Sequence, residues 1–507
     1  VSGVAAERVS LGELARSSGV QFGTSGARGR VVDLTDRVCF GYTTAFLQML
    51  AAEGRTSAGA PFGLGWDLRP SSPRLAAAVA AAVRAFGLSP VALGPVPSPA
   101  VAQWGLARRA PAVMVTGSHI PADRNGLKFT RAEGEIGKAD EAAILAEVVS
   151  LPAGLFDARG GLKAPGALPA VDPAGVQAYV ARHLGFFPPG ALAGLKLGVW
   201  QHSAVGRDLV VRVLSALGAE VVSLGREERF LAVDTEAVSP EDEAAFLAWT
   251  VEHRLDALVS TDGDSDRPLV CDERGRFLRG DLAGPLVASF LGARAVATPV
   301  SSSSVLERSG LVERVLRTRI GSPYVIEGLA RLEAGGPGPV VGYEANGGFL
   351  VQTPVERAGR VLAPLPTRDA LIVPLCLLAA ARERGLPLSA LAAELPPRAV
   401  HAARLPRFPV ERARIRLARL LHGDEARNRA ALEAEFGPPF GRLLAWDTTD
   451  GLRMTFDARA SGGGPEDVVH VRPSGNAPEL RCYTEADSEP RARELADQGA
   501  ELLEGWR

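Results

Sequence analysis

The chain has 507 residues, 56 basic and 58 acidic, and a formal net charge of −2. That near-neutral balance, with no long basic run, excludes nucleic-acid binding driven by a net positive field. A composition of 46% hydrophobic and 22% charged residues excludes a disordered chain.

Four lysines, Lys128, Lys138, Lys163 and Lys196, stand beside 52 arginines. The chain is also rich in Ala, Gly and Pro, so the bias matches GC-rich codons, and each lysine that survives it warrants inspection. The length predicts several domains of about 100–200 residues each. No run of 18 apolar residues occurs, so no membrane span is expected. The first twenty residues lack the apolar stretch of a signal peptide. Cys39, Cys271, Cys376 and Cys482 are widely separated, and most sit in or beside apolar stretches. They read as reduced, mostly buried thiols of a cytoplasmic protein, with no CxxC pair to support zinc.

In chain order the elements alternate between helix and strand. Arg74 to Phe86 reads as a helix with a small-residue face, followed by Gly87 and a strand from Pro90 to Leu93. Ala110 to Thr116 reads as a short buried strand. Leu195 to Val199, the helix Arg207 to Leu217 and Glu220 to Leu224 make a βαβ unit, with Gly218 as the helix stop. A second unit runs from the helix Pro240 to Arg254 into the strand Ala257 to Thr261. A third takes in Ala295 to Thr298, the helix Ser303 to Glu307, and Val315 to Thr318. Repeated βαβ units predict an α/β fold with largely parallel sheets covered by helices. Pro/Gly-rich stretches at Leu151 to Pro173, Glu273 to Gly280 and Pro387 to Pro409 mark boundaries. Beyond them come an Arg-rich helix, Val410 to Leu421, and a hairpin-like segment, Leu443 to Val471. The division is therefore into four domains: 1–160, 161–273 and 274–396, three similar α/β domains, and 397–507, a smaller α+β domain. No clean residue-level repeat relates the first three.

Four segments carry chemistry. In Ser260-Thr261-Asp262-Gly263-Asp264-Ser265-Asp266-Arg267, three carboxylates alternate directly after a buried strand, with Gly263 permitting a tight backbone. Three oxygen donors without nitrogen or sulfur favour Mg²⁺. The glycine and the distal glutamate of an EF-hand are not at the required positions. Arg267 would direct a guanidinium at a phosphate beside the metal. In Thr116-Gly117-Ser118-His119-Ile120-Pro121, a strand end exposes Ser118, and the Asn125-Gly126 turn folds Lys128 back toward it. A serine that takes and gives a phosphoryl group needs a metal and cations nearby. The segment is not a GxSxG elbow, which disfavours an α/β-hydrolase. Arg472-Pro473-Ser474-Gly475-Asn476-Ala477-Pro478 suits a phosphate nest, or an ordinary turn. In Gly342-Tyr343-Glu344-Ala345-Asn346-Gly347-Gly348, a Glu and an Asn on a glycine-rich loop suit sugar hydroxyls, or form a plain loop.

In this order and spacing, the four segments resemble the α-D-phosphohexomutase family. So do Phe22-Gly23-Thr24-Ser25-Gly26-Ala27-Arg28-Gly29 and Asp67-Leu68-Arg69-Pro70-Ser71-Ser72. The resemblance implies four domains around a central cleft, one catalytic loop from each. It implies a phosphoserine at Ser118, and Mg²⁺ held by Asp262, Asp264, Asp266 and the phosphoserine. Arg28, His119, Lys128 and Arg267 match cationic and proton-transfer positions. Glu344 and Asn346 fall in the sugar loop, and Arg472, Ser474, Gly475 and Asn476 in the loop for the distal phosphate. The implied reaction interconverts hexose 6-phosphate and hexose 1-phosphate, mannose first and glucose second, through a hexose 1,6-bisphosphate. Small sugar phosphates are the expected partners, with no nucleic acid and no membrane, for a monomer or homodimer. Departures from the common pattern are Gly117 for alanine, Ile120 for asparagine, Asn346 for serine, Gly348 for histidine, and Asn476-Ala477 for Thr-Glu. With no lysine after Lys196, a cationic role in the third domain falls to arginines such as Arg317 or Arg319. Two other readings stay open: a sugar-phosphate phosphatase, and a non-catalytic sugar-phosphate binding protein.

Overall fold

The computed structural model describes residues 6–23, 26–164, 166–236, 238–458, 466–474 and 478–507. Its first three sheets repeat one plan. In the second, Lys196–His202 lies between Glu220–Arg226 and Ala257–Thr261, parallel to both, and Pro268–Cys271 returns antiparallel beside Ala257–Thr261. In the third, Ala295–Pro299 lies between Arg314–Thr318 and Val340–Tyr343, with Phe349–Val351 returning antiparallel. In the first, Pro61–Trp66 lies between Ser89–Pro95 and Ala112–Val115, with Arg124–Arg131 returning antiparallel. That sheet is extended past Arg124–Arg131 by Ala27–Arg30 and Gln21–Phe22.

Parallel neighbours cannot be joined by a tight turn, so each unit spends helices on its crossovers. Ser72–Ala85 and Ser98–Arg108 serve the first, Arg207–Ala216 and Pro240–His253 the second, and Val305–Ser309 and Ser322–Ala334 the third. The third strand of each unit is buried along its whole length: AVMV, ALVST and VVGY. A strand covered on both faces reads as a continuous apolar run, which is why these segments were conspicuous in the sequence.

The fourth domain is an antiparallel sheet in the order Ala399–Pro406, Glu479–Ala486, Asp467–Pro473, Leu452–Phe456, Leu443–Asp447. Helices Val410–Leu420, Glu425–Phe440 and Glu489–Glu504 accompany it. Its core, built around Leu432, Phe436, Phe440, Met454 and Leu495, is separate from the others. The second and third units share one core, in which Leu197 and Val259 join Val287, Val341 and Leu375.

Two elements depart from expectation. Ala6–Ser10 pairs antiparallel with Val148–Pro152, so regular structure runs into the Pro/Gly-rich stretch that begins at Leu151. The helix expected from Ser303 begins later, at Val305. Ser303 and Ser304 precede it because Glu485 of the fourth domain accepts from both hydroxyls and from the Ser304 N–H. All four cysteines are buried and unpaired. No helix among the described residues is long and apolar enough to cross a membrane.

Candidate active site

In each of the first three units, the link between third and fourth strands is one of the segments singled out above. Val115 pairs with Leu127 around the Ser118 segment, Thr261 with Pro268 around the aspartates, and Tyr343 with Phe349 around Glu344. In the fourth domain, Pro473 pairs with Leu480 across the Arg472 segment.

Ser118 is fully buried, and its φ of 52° lies in the left-handed region that side chains rarely adopt. Arg69 holds it there. The buried guanidinium donates to the carbonyls of Ser118 (2.9 Å), Ile120 (2.5 Å), Pro121 (2.7 Å) and Arg124 (2.8 Å). Asp67 accepts from Arg69 Nε and also from the hydroxyls of Ser72 and Thr116. Gly117 leaves room for this clamp, since a Cβ there would stand 2.5 Å from Arg69 Cζ. The clamp accounts for glycine at this position.

The three aspartates come together as expected, each with a ligand oxygen within 4.8 Å of the others. Ser118 Oγ donates to Asp262 Oδ2 at 2.6 Å, while Asp262 Oδ1 accepts the Asp266 and Arg267 N–H groups. Asp264 Oδ2 accepts from Ser98 Oγ at 2.6 Å, and from Lys128 Nζ at 3.3 Å. Asp266 Oδ2 accepts from Lys128 Nζ at 2.6 Å and from Arg368 Nε at 3.0 Å. Among the described residues, Asp264 Oδ1 and Asp266 Oδ1 are buried without a hydrogen-bond partner. Two bare carboxylate oxygens beside a serine hydroxyl, with no softer donor, fit a hard divalent cation such as Mg²⁺. Burial and the two neighbouring carboxylates push Asp262 well above the usual carboxylate range. Against the cost of burial, Lys128 and Ser98 hold Asp264 below that range, and Arg368 and Lys128 do the same for Asp266.

Positive groups surround this cluster. Arg267 is buried, its Nε has no hydrogen-bond partner among the described residues, and it lies 3.9 Å from Asp266 Oδ1. Burial and the charges of Arg267 and Arg368 lower Arg28 to about 10. His119 Nδ1 is 3.3 Å from Ser118 Oγ. Burial, with Arg267 and Arg28 close by, lowers His119 to about 2, so its imidazole is neutral. Lys128 lies among the aspartates. Burial acts downward on its ammonium, but Asp266 and Asp264 outweigh it and the net shift is upward.

Glu344 and Asn346 are buried in the third unit's loop. Asn346 Oδ1 accepts the Gly348 N–H, and its carbonyl accepts from Thr235 of the second unit. At Gly348 a Cβ would stand 2.4 Å from Arg368 Cδ, so the Arg368 stem occupies the space a side chain would need. Arg368 reaches Asp266 on one side and Glu344 Oε2 (3.3 Å) on the other, joining the aspartate loop to the Glu344 loop. Sequence reasoning missed Arg368, which has no motif and is one arginine among 52. It missed Ser98 for the same reason. Arg69 lies in the Asp67–Ser72 segment, but sequence reasoning gave it no role. Arg317 is committed elsewhere, to Glu307 and the carbonyls of Pro299, Ser302 and Ser303, while Arg319 is exposed over the Tyr324 ring.

Arg472 belongs to a second cluster. Its Nε donates to Asp450 Oδ1 at 2.9 Å, and Asp450 Oδ2 accepts the Ile320 N–H of the third unit at 2.9 Å. Ser474 is buried, and its N–H donates to the Glu479 carbonyl. Gly475 and Asn476 lie outside the described residues.

Comparison with known proteins places these loops in a family. Four models of phosphoglucomutase/phosphomannomutase domains match the chain: α/β/α domain I over residues 19–152, domain II over 180–275, domain III over 281–399, and the C-terminal domain over 413–502. A phosphomannomutase of Sinorhizobium fredii (strain NBRC 101917 / NGR234) is 42% identical over 487 residues, 96% of this chain and 99% of that protein. A phosphomannomutase of Salmonella muenchen is 40% identical over 489 residues, 96% of each chain. In fold, a crystal structure from Thermus Thermophilus described as a putative phosphomannomutase superposes with a TM-score of 0.74. It is 22% identical and covers 96% of this chain and 99% of that one.

Proposed function

Since the chain belongs to the phosphoglucomutase/phosphomannomutase family of isomerases, we propose that it interconverts hexose 6-phosphate and hexose 1-phosphate, mannose first and glucose second, through a phosphoserine at Ser118. The observation that carries this reading is the 2.6 Å contact of Ser118 Oγ with a three-aspartate cluster that keeps two bare oxygens.

In this scheme the phosphoserine P–O bond breaks as a sugar hydroxyl takes the phosphoryl group, giving a hexose 1,6-bisphosphate. The bisphosphate reorients and returns its other phosphate to Ser118. Such transfers depend on positioning and charge neutralisation more than on covalent help. Arg28, Arg267 and Arg368 supply fixed positive charge around the reacting oxygens, and neutral His119 supplies a hydrogen bond. Asp262, Asp264 and Asp266, with Ser118, would hold Mg²⁺, which offsets charge on the phosphoryl oxygens when bound. Lys128 is the candidate to take the hydroxyl proton and return it. Burial is the largest influence on its ammonium, and the carboxylates that override burial are the proposed metal ligands. Glu344 and Asn346 face sugar hydroxyls. Arg472 and Ser474, with Gly475 and Asn476, take the distal phosphate.

The test is to incubate the protein with Mg²⁺, a trace of hexose 1,6-bisphosphate and each hexose 1-phosphate separately. The expected product is the 6-phosphate isomer. Release of free phosphate in its place would make the protein a phosphatase. Tight binding with no conversion would make it a sugar-phosphate binding protein.

A further inference from the structure

Arg368 sits between the aspartate loop and the Glu344 loop, and contacts with them are not all that places it. The chain on either side of it is pinned by other parts of the molecule. On one side Thr367 donates to Glu135 of the first unit. On the other, Asp369 is fully buried and accepts four hydrogen bonds: Tyr179 Oη, Arg182 Nη1 (2.8 Å), His183 Nε2 (3.0 Å) and the Leu371 N–H (3.1 Å). The Asp369 N–H in turn donates to the Phe349 carbonyl at 2.9 Å.

Tyr179, Arg182 and His183 stand at i, i+3 and i+4 on one face of the helix Ala174–Phe186, so they meet a common partner. That helix precedes the first strand of the second unit, and it packs against Ser98–Arg108 of the first unit. The first residue of Ser98–Arg108 is the serine that donates to Asp264. One helix therefore touches both the element that steadies Asp264 and the residue next to Arg368. A buried ionic cluster of this kind is a poor way to gain stability, since apolar residues of similar volume do as well or better. It is a good way to fix one geometry.

We infer that Asp369 is a positioning residue for the mutase reaction: held by Tyr179, Arg182 and His183, it fixes Arg368 between Asp266 and Glu344. The inference rests on the function proposed above. Asp369 itself touches no reacting atom and acts through the Arg368 guanidinium. A misplaced charge at a phosphoryl-transfer site costs rate, by about 10²-fold for a 1 Å error.

The test is a double-mutant cycle on the full-length enzyme, using Asp369→Asn, Arg368→Lys and the pair. It reads kcat and KM for the converted hexose 1-phosphate, with circular dichroism confirming the fold. Asp369→Asn should lower kcat about tenfold or more while changing KM less than threefold. The pair should lose no more than Arg368→Lys alone, because the route from Asp369 to the chemistry runs through the guanidinium. Losses that multiply, or an Asp369→Asn enzyme with wild-type kcat, overturn the inference. If Asp369→Asn does not fold, Tyr179→Phe replaces it in the cycle, removing one donor while keeping the ring, under the same two criteria. A wild-type enzyme without isomerase activity would overturn the proposed function instead, and that result is read before any variant.

Discussion

Lys128 is one of four lysines in a chain that otherwise writes its basic charge as arginine, and it is the lysine that contacts two of the three clustered aspartates. Arginine at this position would keep the charge but could not exchange a proton at working pH. Lys128→Arg should therefore leave the fold intact and lower kcat by about 10²-fold or more, the usual scale of general acid–base help. Steady-state rates of the purified variant check this, and a loss under threefold would remove Lys128 from proton transfer. Gly348 permits a second residue-level prediction. A methyl group there would stand 2.4 Å from Arg368 Cδ, so Gly348→Ala should push the guanidinium off Asp266 and Glu344. The expected result is a kcat lowered about tenfold, with a melting midpoint close to wild type. An unchanged kcat would show that the Arg368 stem can move aside at no cost. Ser118, Lys128 and the aspartates were legible because their chemistry is written within a dozen consecutive residues. Arg69 reaches Ser118 from 49 residues away and Arg368 reaches Asp266 from 102 residues away, and no local pattern records that.

At the scale of elements, two buried histidines brace the loops in the same way. His202 Nε2 lies 2.7 Å from the Thr261 carbonyl, at the end of the strand that precedes Asp262, and His470 Nε2 lies 2.6 Å from the Asp450 carbonyl. Both Nδ1 atoms are buried without a hydrogen-bond partner among the described residues. Protonating either ring would place a donor where nothing accepts, and burial lowers each to about 4. An unfolded histidine titrates near 6.5, so below that pH the unfolded chain binds more protons than the folded one. The stability from these two neutral rings is complete above about pH 6.5 and is lost as pH falls toward 4, by up to about 3 kcal/mol each. Melting midpoints between pH 7.5 and 4.5 should fall, and His470→Gln should flatten the slope. Equal slopes in variant and wild type would refute this. Helices and strands were legible from periodicity, with errors at ends such as Ser303, where a partner 182 residues away decides. The likeness of the first three units was legible in the order of their elements but not as a residue-level repeat. It lies in hydrogen-bond order between strands, which different apolar sequences satisfy equally well.

For the whole molecule, the clustered aspartates mark a seam. Ser98, Ser118 and Lys128 of the first unit all reach aspartates of the second. A cation bound there would add its binding free energy to the docking of the two units, about 2.7 kcal/mol at a hundredfold excess over Kd. The melting midpoint should rise with Mg²⁺ and fall with EDTA, and Asp264→Asn should abolish the response. In EDTA, Asp262→Asn should be no less stable than wild type, because burial and like charge already favour the neutral form of Asp262. A midpoint indifferent to Mg²⁺ across the millimolar range would remove the metal from the proposal.

The loops of the first three units each join a third strand to an antiparallel fourth, with both ends locked in register, as at Thr261 against Pro268 and Tyr343 against Phe349. Register is held by the pairs at the two ends of each joint, so a residue between them that does not pack against the frame can change without disturbing the fourth strand. In the proposed function, sugar preference can thus drift by substitution at Glu344, Ala345 and Asn346 while the frame stays still. Libraries randomised there at constant length should yield folded enzymes with altered choice among hexose phosphates.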